Sequence, residues 1–486
     1  MLVPLLEWNP DTNETTPGVI TDVSCMIPSM KGYKSTPSVV GVGLAALDAA
    51  ARTASIVTIL DGSNVLFAGT QTKIYKGGVT TWTDVTRTSA DYTGAATSKW
   101  RFAQQGNLTF AVNRVDTSQK YDHAADTDFS DLTAMPISGV VEAVGQFVMV
   151  GDYINPVGSV STPDGWACSA ISDYTDWTAS VDTQCVYGRL LDTQGKVTGI
   201  KRLGDYAIYY KRKSMYLARY VGAPTVWEFS LVSDIVGAVS QEAIVKVGQQ
   251  HYFLGEDNFY MYDSAQIQPI GEQIKQWFAD SVNKKYIGDV QAVHDRNNGH
   301  IYWFYPSGTS TTLNSYVAYH YRSGRWGRGD ISAEAVTEYI VGGRTYTDLL
   351  AAYPTYAAFS GLTYQDLQLS EGSPKPAIFD TAHTLKTLTG ESCASNMTPN
   401  IMGTDNEISL IRRVRNRYLD TPTTAVLTNY YTDQLGSDFT TDQTTTENSG
   451  KFDFLRSARW HKGKFEFTGN VEVTAIDVEA KYAGRE

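Results

Sequence analysis

Charge, cysteine and long apolar runs are all scarce in this chain of 486 residues. Charged residues make up 19% of it, below the roughly 25% usual for soluble domains, so Ser, Thr, Asn and Tyr must cover much of the surface. Its four cysteines, Cys25, Cys168, Cys185 and Cys393, lie far apart, with no Cys-x-x-Cys and no histidine nearby at metal-ligand spacing. That spacing argues against a thiolate metal site and for free thiols in a protein made in a reducing cytosol. No apolar run approaches the roughly 20 residues that span a bilayer. The start, Met1-Leu-Val-Pro-Leu-Leu-Glu7, lacks a basic region and reaches Glu7 and Trp8 too early for a signal peptide. A soluble, unprocessed protein is expected. Basic residues are the minority, 40 Lys and Arg against 52 Asp and Glu, for a net charge of −12. Such a surface does not grip nucleic acid by neutralising phosphates; an acidic wall would repel DNA and let it slide.

Aromatics and glycine are plentiful, with 30 Tyr and 41 Gly, a composition that favours strands and tight turns. They fall into a recurring unit: Gly, a polar residue, an apolar and aromatic run, a polar turn, and a second aromatic-rich run. The units start at Gly62-Ser63, Gly106-Asn107, Gly145-Gln146, Gly204-Asp205, Gly248-Gln249 and Gly299-His300. The spacing of roughly 40 to 60 residues is that of a propeller blade rather than a helical repeat. The runs are nearly continuous, as in Ile301-Tyr-Trp-Phe-Tyr305, which fits strands buried on both faces. Trp82, Phe129, Trp177, Trp227 and Trp326 recur at similar places in successive units and read as wedges between blades. The fold class expected is all-β, a β-propeller of roughly six to eight blades with inserted loops and a surface meander.

Four stretches divide the chain. Residues 1–54 read as an irregular N-terminal segment joining the propeller, with one short helix expected at Leu44–Ala51. Residues 55–333 carry the blades, with a second helix expected over Ile274–Val282. Residues 334–399 contain a succession of Tyr-centred turns (Tyr346, Asp348, Tyr356, Tyr364 and Asp366) and read as an inserted meander, a candidate docking or tip region. Residues 400–486 return to strands. Lys464–Phe467 and Val471–Val473 read as a hairpin, and the C-terminal strands are expected to close the propeller by pairing with the N-terminal segment.

Motifs with chemistry are few. Gly41-Val-Gly-Leu-Ala-Ala46, followed by Asp61, matches a dinucleotide fingerprint, but the stretch is shorter than a βαβ unit and no second βα repeat follows. Ser161-Thr-Pro-Asp-Gly-Trp166 resembles a sialidase Asp-box yet does not recur. Asp205 with Asp257 could form a carboxylate pair, although Asp is ordinary in turns. The seven histidines form no metal or triad spacing. No catalytic, cofactor-binding or metal-ligating residue is assigned, no cofactor is expected, and the chain reads as a non-enzyme. Basic residues gather at Lys201-Arg202 with Lys211-Arg-Lys213, at Arg322, Arg325 and Arg328, and at Arg412–Arg417. On a strand, Arg413, Arg415 and Arg417 share a side. That side faces DNA or an acidic neighbour in one reading, and is a solvated or ion-paired strand face in the blander one.

The order of several pieces resembles the tail nozzle (tail hub, or packaged-DNA stabilisation) proteins of short-tailed bacteriophages. These are Leu66-Phe-Ala-Gly-Thr70 with Lys73-Ile-Tyr-Lys76 and Trp82-Thr-Asp84; Ser172-Asp-Tyr-Thr-Asp-Trp177; Ser214-Met-Tyr-Leu217 with Tyr220-Val-Gly222; and Tyr252-Phe-Leu-Gly255 with Phe259-Tyr260. The Tyr-Thr-Asp-Leu meander, Phe379-Asp-Thr381 and the ending Ser457–His461 to Ala483–Arg485 add to it. The resemblance implies a structural virion protein: a propeller subunit in a homo-hexameric ring below the portal and its adaptor. That ring continues the DNA channel without sequence-specific binding, helps retain the packaged genome until ejection, and docks tail fibres or spikes and a distal plug or needle. It also implies assembly in the host bacterial cytoplasm and no membrane insertion. Interface candidates are Arg413, Arg415, Arg417, Tyr346, Asp348, Tyr356, Tyr364 and Asp366. The alternative is a carbohydrate-binding propeller, an adhesin or glycosidase, motivated by Tyr- and Trp-rich loops.

Overall fold

A computed structural model of the chain describes residues 2–95, 97–155, 158–340, 355 and 372–484. The repeat builds a β-propeller. Six sheets each contain four consecutive antiparallel strands, starting at Thr53–Thr58, Arg101–Gln105, Ile137–Val144, Val197–Leu203, Ile244–Val247 and Gln291–Asp295. A seventh, composite sheet combines Ala335–Tyr339, Lys375–Phe379 and Leu385–Ser392 with the N-terminal strand Pro37–Gly41. The innermost strand of each blade packs against that of the next, and Ala335–Tyr339 packs back against Thr53–Thr58. The ring is therefore closed at seven blades.

The Gly-polar pairs are the turns between first and second strands. In blades two to five the loop is two residues, with Gly106, Gly145, Gly204 and Gly248 at φ between +59° and +62° and no positive φ at the residue after. That is the pattern of the II′ hairpin, whose twist matches the flanking strands. Second strands are among the most buried elements: every residue of His300–Tyr305 is buried, as are all but the last of Phe147–Ile154. Neighbouring blades cover both of their faces, which is why their apolar runs do not alternate.

The two ends of the chain build a separate β-sandwich. One sheet joins Glu7–Trp8, Val19–Ser24, Ser395–Pro399, Trp460–Thr468, Thr424–Thr432 and Thr440–Thr446. The other continues directly from blade six through Met26–Pro28, Tyr33–Ser35, Glu472–Gly484, Ile408–Asp420 and Phe452–Ala458, making ten strands with Leu2–Pro4. The expectation that residues 400–486 close the propeller is thus corrected. N- and C-terminal strands do pair, but in the sandwich (Val3 opposite Ile476, Val473 opposite Tyr33), while Pro37–Gly41 supplies the closing strand. The boundaries shift accordingly, since residues 1–36 and 393–486 flank the propeller and residues 335–339 begin a blade. The hairpin expected at Lys464–Val473 is also absent, because the chain crosses from one sandwich sheet to the other there.

One hydrophobic core runs through both parts, from Phe259, Trp303 and Trp326 of blades five and six to Tyr33, Phe452, Phe465 and Ile476 of the sandwich. Polar ties cross the same junction. Tyr33 accepts from the Trp8 N–H and donates to the Trp326 carbonyl, 3.1 Å away. His300 Nε2 bonds the Pro28 carbonyl at 2.7 Å. The helix Lys275–Ser281, where one was expected, has its first turn capped from the sandwich side, Asp11 accepting from Gln276 N at 2.6 Å and Trp277 N at 2.9 Å. The helix expected over Leu44–Ala51 does not form. That stretch is irregular and spends its backbone N–H groups on neighbouring segments, Ala45 on Thr80 O and Leu47 on His383 O. No helix among the described residues is long and apolar enough to cross a membrane.

Candidate functional site

The innermost strands enclose a cavity of about 410 Å³ on the propeller axis. Near the start of these strands, ionic and polar side chains span it. Arg101 of blade two reaches Glu242, which precedes the inner strand of blade five, through Nε at 2.6 Å and Nη2 at 3.0 Å, and donates also to the Gly139 carbonyl. Lys99 bonds the Gly288 carbonyl at 3.2 Å and pairs with Asp289 at 3.1 Å. Gln241 Nε2 donates to the Val141 carbonyl at 3.0 Å. Burial pulls the Glu242 carboxyl up, but the Arg101 and Lys99 charges outweigh it and hold it down at about 2. The pair is an ionised brace between blades rather than an acid–base couple.

Toward the ends of the inner strands lie Lys201, paired with Glu142 at 3.8 Å, and Arg296, paired with Glu338 at 2.9 Å. Burial raises the Glu338 carboxyl despite Arg296. Burial also lowers the Lys246 ammonium, helped by the Arg202 and Lys201 charges. This is the mouth onto which the first hairpins of blades one to six open. Blade seven reaches the same end of the ring. Tyr339 and Lys375 stand opposite each other in register, and Asn297 Nδ2 of blade six bonds Ser373 Oγ at 3.1 Å. Tyr346, Asp348, Tyr356, Tyr364 and Asp366 themselves lie outside the described residues.

The arginine row sits elsewhere, on the sandwich strand Ile408–Asp420. Val414 and Asn416 point inward while Arg415 and Arg417 are exposed. Arg413 pairs with Asp453 at 2.6 Å and Glu479 at 3.7 Å, and Arg417 with Asp477 at 3.1 Å. No acid pairs with Arg415 among the described residues. The other basic clusters resolve into local ties: Lys211 Nζ donates to the Leu190 and Thr193 carbonyls at 2.7 Å each, Arg212 and Lys213 share Glu256, and Arg328 holds Asp22.

The tempting motifs disperse. Gly41 ends the outer strand of blade seven, antiparallel to Leu385–Ser392, with no helix after it. Asp61 caps a turn by accepting from Ser63 N at 2.9 Å. Ser161–Cys168 is a strand rather than an Asp-box turn, and Asp164 pairs with Arg189. Asp257 is engaged by Tyr260 and Lys275. Among the described residues no cluster of three His, Cys, Asp or Glu could hold a metal ion. The residues that span the cavity, Arg101, Glu242 and Glu338 above all, carry no motif. Only ring closure brings them together.

No protein-family model matches the chain, and no curated protein matches it in sequence. The solved structures to which it is similar include two propeller proteins. One is YCF48 bound to D1 peptide, at 10% identity and a TM-score of 0.33, covering 62% of this chain and 86% of that one. The other is apo AztD from Citrobacter koseri, at 10% identity and a TM-score of 0.33, covering 64% and 98%. The propeller assignment rests on the sheet topology itself.

Proposed function

We propose that this chain is a structural subunit of a short-tailed bacteriophage tail, six copies of which form the nozzle or hub ring below the portal and its adaptor. One observation supports this reading above the others. The propeller is spliced into a sandwich and bonded to it by an uninterrupted sheet and a common core, which makes the subunit a stiff block suited to a wall under pressure. A cavity of about 410 Å³ crossed by braces is far too small for a duplex, so the DNA passage would be walled by outer surfaces of several subunits. A net charge of −12 suits a wall that does not hold DNA. Portal adaptor, fibres or spikes and a distal plug are the partners this reading entails, with the tyrosine-rich segment between Tyr339 and Lys375 and the arginine strand as candidate contacts.

The carbohydrate-binding alternative draws on aromatic side chains in loops, but eight of the ten tryptophans are buried, leaving only Trp82 and Trp277 partly exposed. Electron microscopy of the purified chain, alone and with adaptor-bearing heads, tests the proposal. Six-fold rings are expected; a chain that stays monomeric in both settings would overturn it.

A further inference from the structure

The chain crosses between sandwich and propeller twice, near residues 36 and 393, and the two crossings lie side by side. Thr36 N donates to the Cys25 carbonyl at 2.9 Å, and Cys393 N donates to the Thr36 carbonyl at 3.0 Å. Beside them the Ser35 and Ser392 hydroxyls meet at 2.7 Å. Cys25 stands between the strands Val19–Ser24 and Met26–Pro28 at φ +52°, a bend that takes its Cβ out of the regular ladder. Bonded to Thr36 from either side, Cys25 and Cys393 are brought next to each other. Both cysteines are partly exposed, whereas Cys168 and Cys185 are buried.

We propose that Cys25 and Cys393 form an oxidative clasp, a disulfide made on exposure to a low-molecular-weight disulfide such as oxidised glutathione, which fastens the two crossings to each other. The Cys25 thiolate attacks one sulfur of oxidised glutathione, forming a mixed disulfide and releasing one glutathione thiolate. The Cys393 thiolate then attacks the Cys25 sulfur and releases the second glutathione. Two protons and two electrons leave the protein, and one oxidised glutathione becomes two reduced molecules. The neighbouring Cys393 thiol lowers the Cys25 thiol against the opposing effect of burial, which favours Cys25 as the attacking sulfur. Burial pushes Cys168 and Cys185 up to about 12, which makes them internal controls.

The test treats the reduced full chain with oxidised glutathione, quenches with an alkylating reagent, unfolds it, counts thiols and maps the peptides by mass spectrometry. The expected result is a fall from four free thiols to two, with the Cys25 and Cys393 peptides joined. The oxidised form should also melt at a higher temperature, since the link closes a loop around the whole propeller. Cys393→Ser, which removes the resolving sulfur but keeps a hydroxyl donor beside Cys25, should leave glutathione trapped on Cys25, a readout that does not depend on any gain in stability. Survival of all four thiols, glutathione on both Cys25 and Cys393 without a joined peptide, or linkage to Cys168 or Cys185 would each overturn the proposal.

Discussion

Buried histidine in this protein is a neutral hydrogen-bonding residue. Six of the seven are shifted down, with burial the first cause in each. His251, His294 and His300 reach about 3, 4 and 3. His300 shows why. Its Nε2 must carry the proton donated to the Pro28 carbonyl, while Nδ1 is buried without a partner among the described residues, so a second proton would be an unpaired buried charge. These pKa values are depressed for a base, so the unfolded chain takes up protons first as pH falls below about 6.5. Stability should therefore drop from about pH 6.5 downward, by up to ~1.4 kcal/mol per pH unit for each such histidine. Urea midpoints measured at pH 7, 6 and 5 should fall, and His251→Gln should flatten the slope. A midpoint independent of pH over this range would contradict the assignment. The Arg101–Glu242 brace predicts a different response. Arg101→Met strands a carboxylate whose side chain is 8% exposed and should cost about 3–5 kcal/mol. Arg101→Met with Glu242→Gln should recover most of that loss, as a double-mutant cycle in denaturant would show.

At the level of elements, the hairpin glycines set the blade geometry. A Cβ at Gly248 meets nothing within 4 Å, and its φ is +60°, so the cost of replacing it is backbone conformation alone. Gly248→Ala and Gly248→Val should destabilise by similar amounts, about 1–2 kcal/mol, because the first position of a II′ turn strains any residue with a Cβ. A loss that grows with side-chain size would point to packing instead. These turns and the second strands after them were the legible part of the sequence, since burial on both faces leaves unbroken apolar runs beside a glycine. Inner strands were not legible. Arg101-Phe-Ala-Gln-Gln105 faces the axial cavity and reads as polar. Leu44–Ala51 has a helix-forming composition, but Leu44, Leu47 and Ala51 are buried between blades one and seven in an irregular course. The arginine row alternates as read, yet a register shift between Ile411 and Arg413 and the acids opposite could not be inferred from one strand. The sandwich was hidden for a simpler reason. Strands such as Val19–Ser24 and Ser395–Pro399 are partners separated by almost the whole propeller.

For the whole molecule, the shared core argues against two independently melting parts. Tyr33 is the test case, being fully buried and joining Trp8 of the sandwich to Trp326 of blade six. Tyr33→Phe leaves an N–H and a carbonyl without their partner, at a cost of about 1–3 kcal/mol for each group left unsatisfied. Thermal unfolding followed by near-ultraviolet circular dichroism and by tryptophan fluorescence should give one coincident transition in both proteins, shifted down in the variant. Two separated transitions, or a shift in only one probe, would show that the propeller and the sandwich unfold apart.

The splice also sets a timetable for synthesis. Strands Val19–Ser24 and Tyr33–Ser35 leave the ribosome before the propeller, but their partners Ser395–Pro399 and Glu472–Gly484 follow it. At roughly 5–20 residues per second, the first strands wait on the order of 20–70 s with their apolar faces uncovered. Pro37–Gly41 waits as long for Leu385–Ser392, so the ring cannot shut before its last blade is made. The nascent chain thus carries open sheet edges at its leading end for most of its translation, and this is the interval in which a chaperone or a neighbouring copy can capture it.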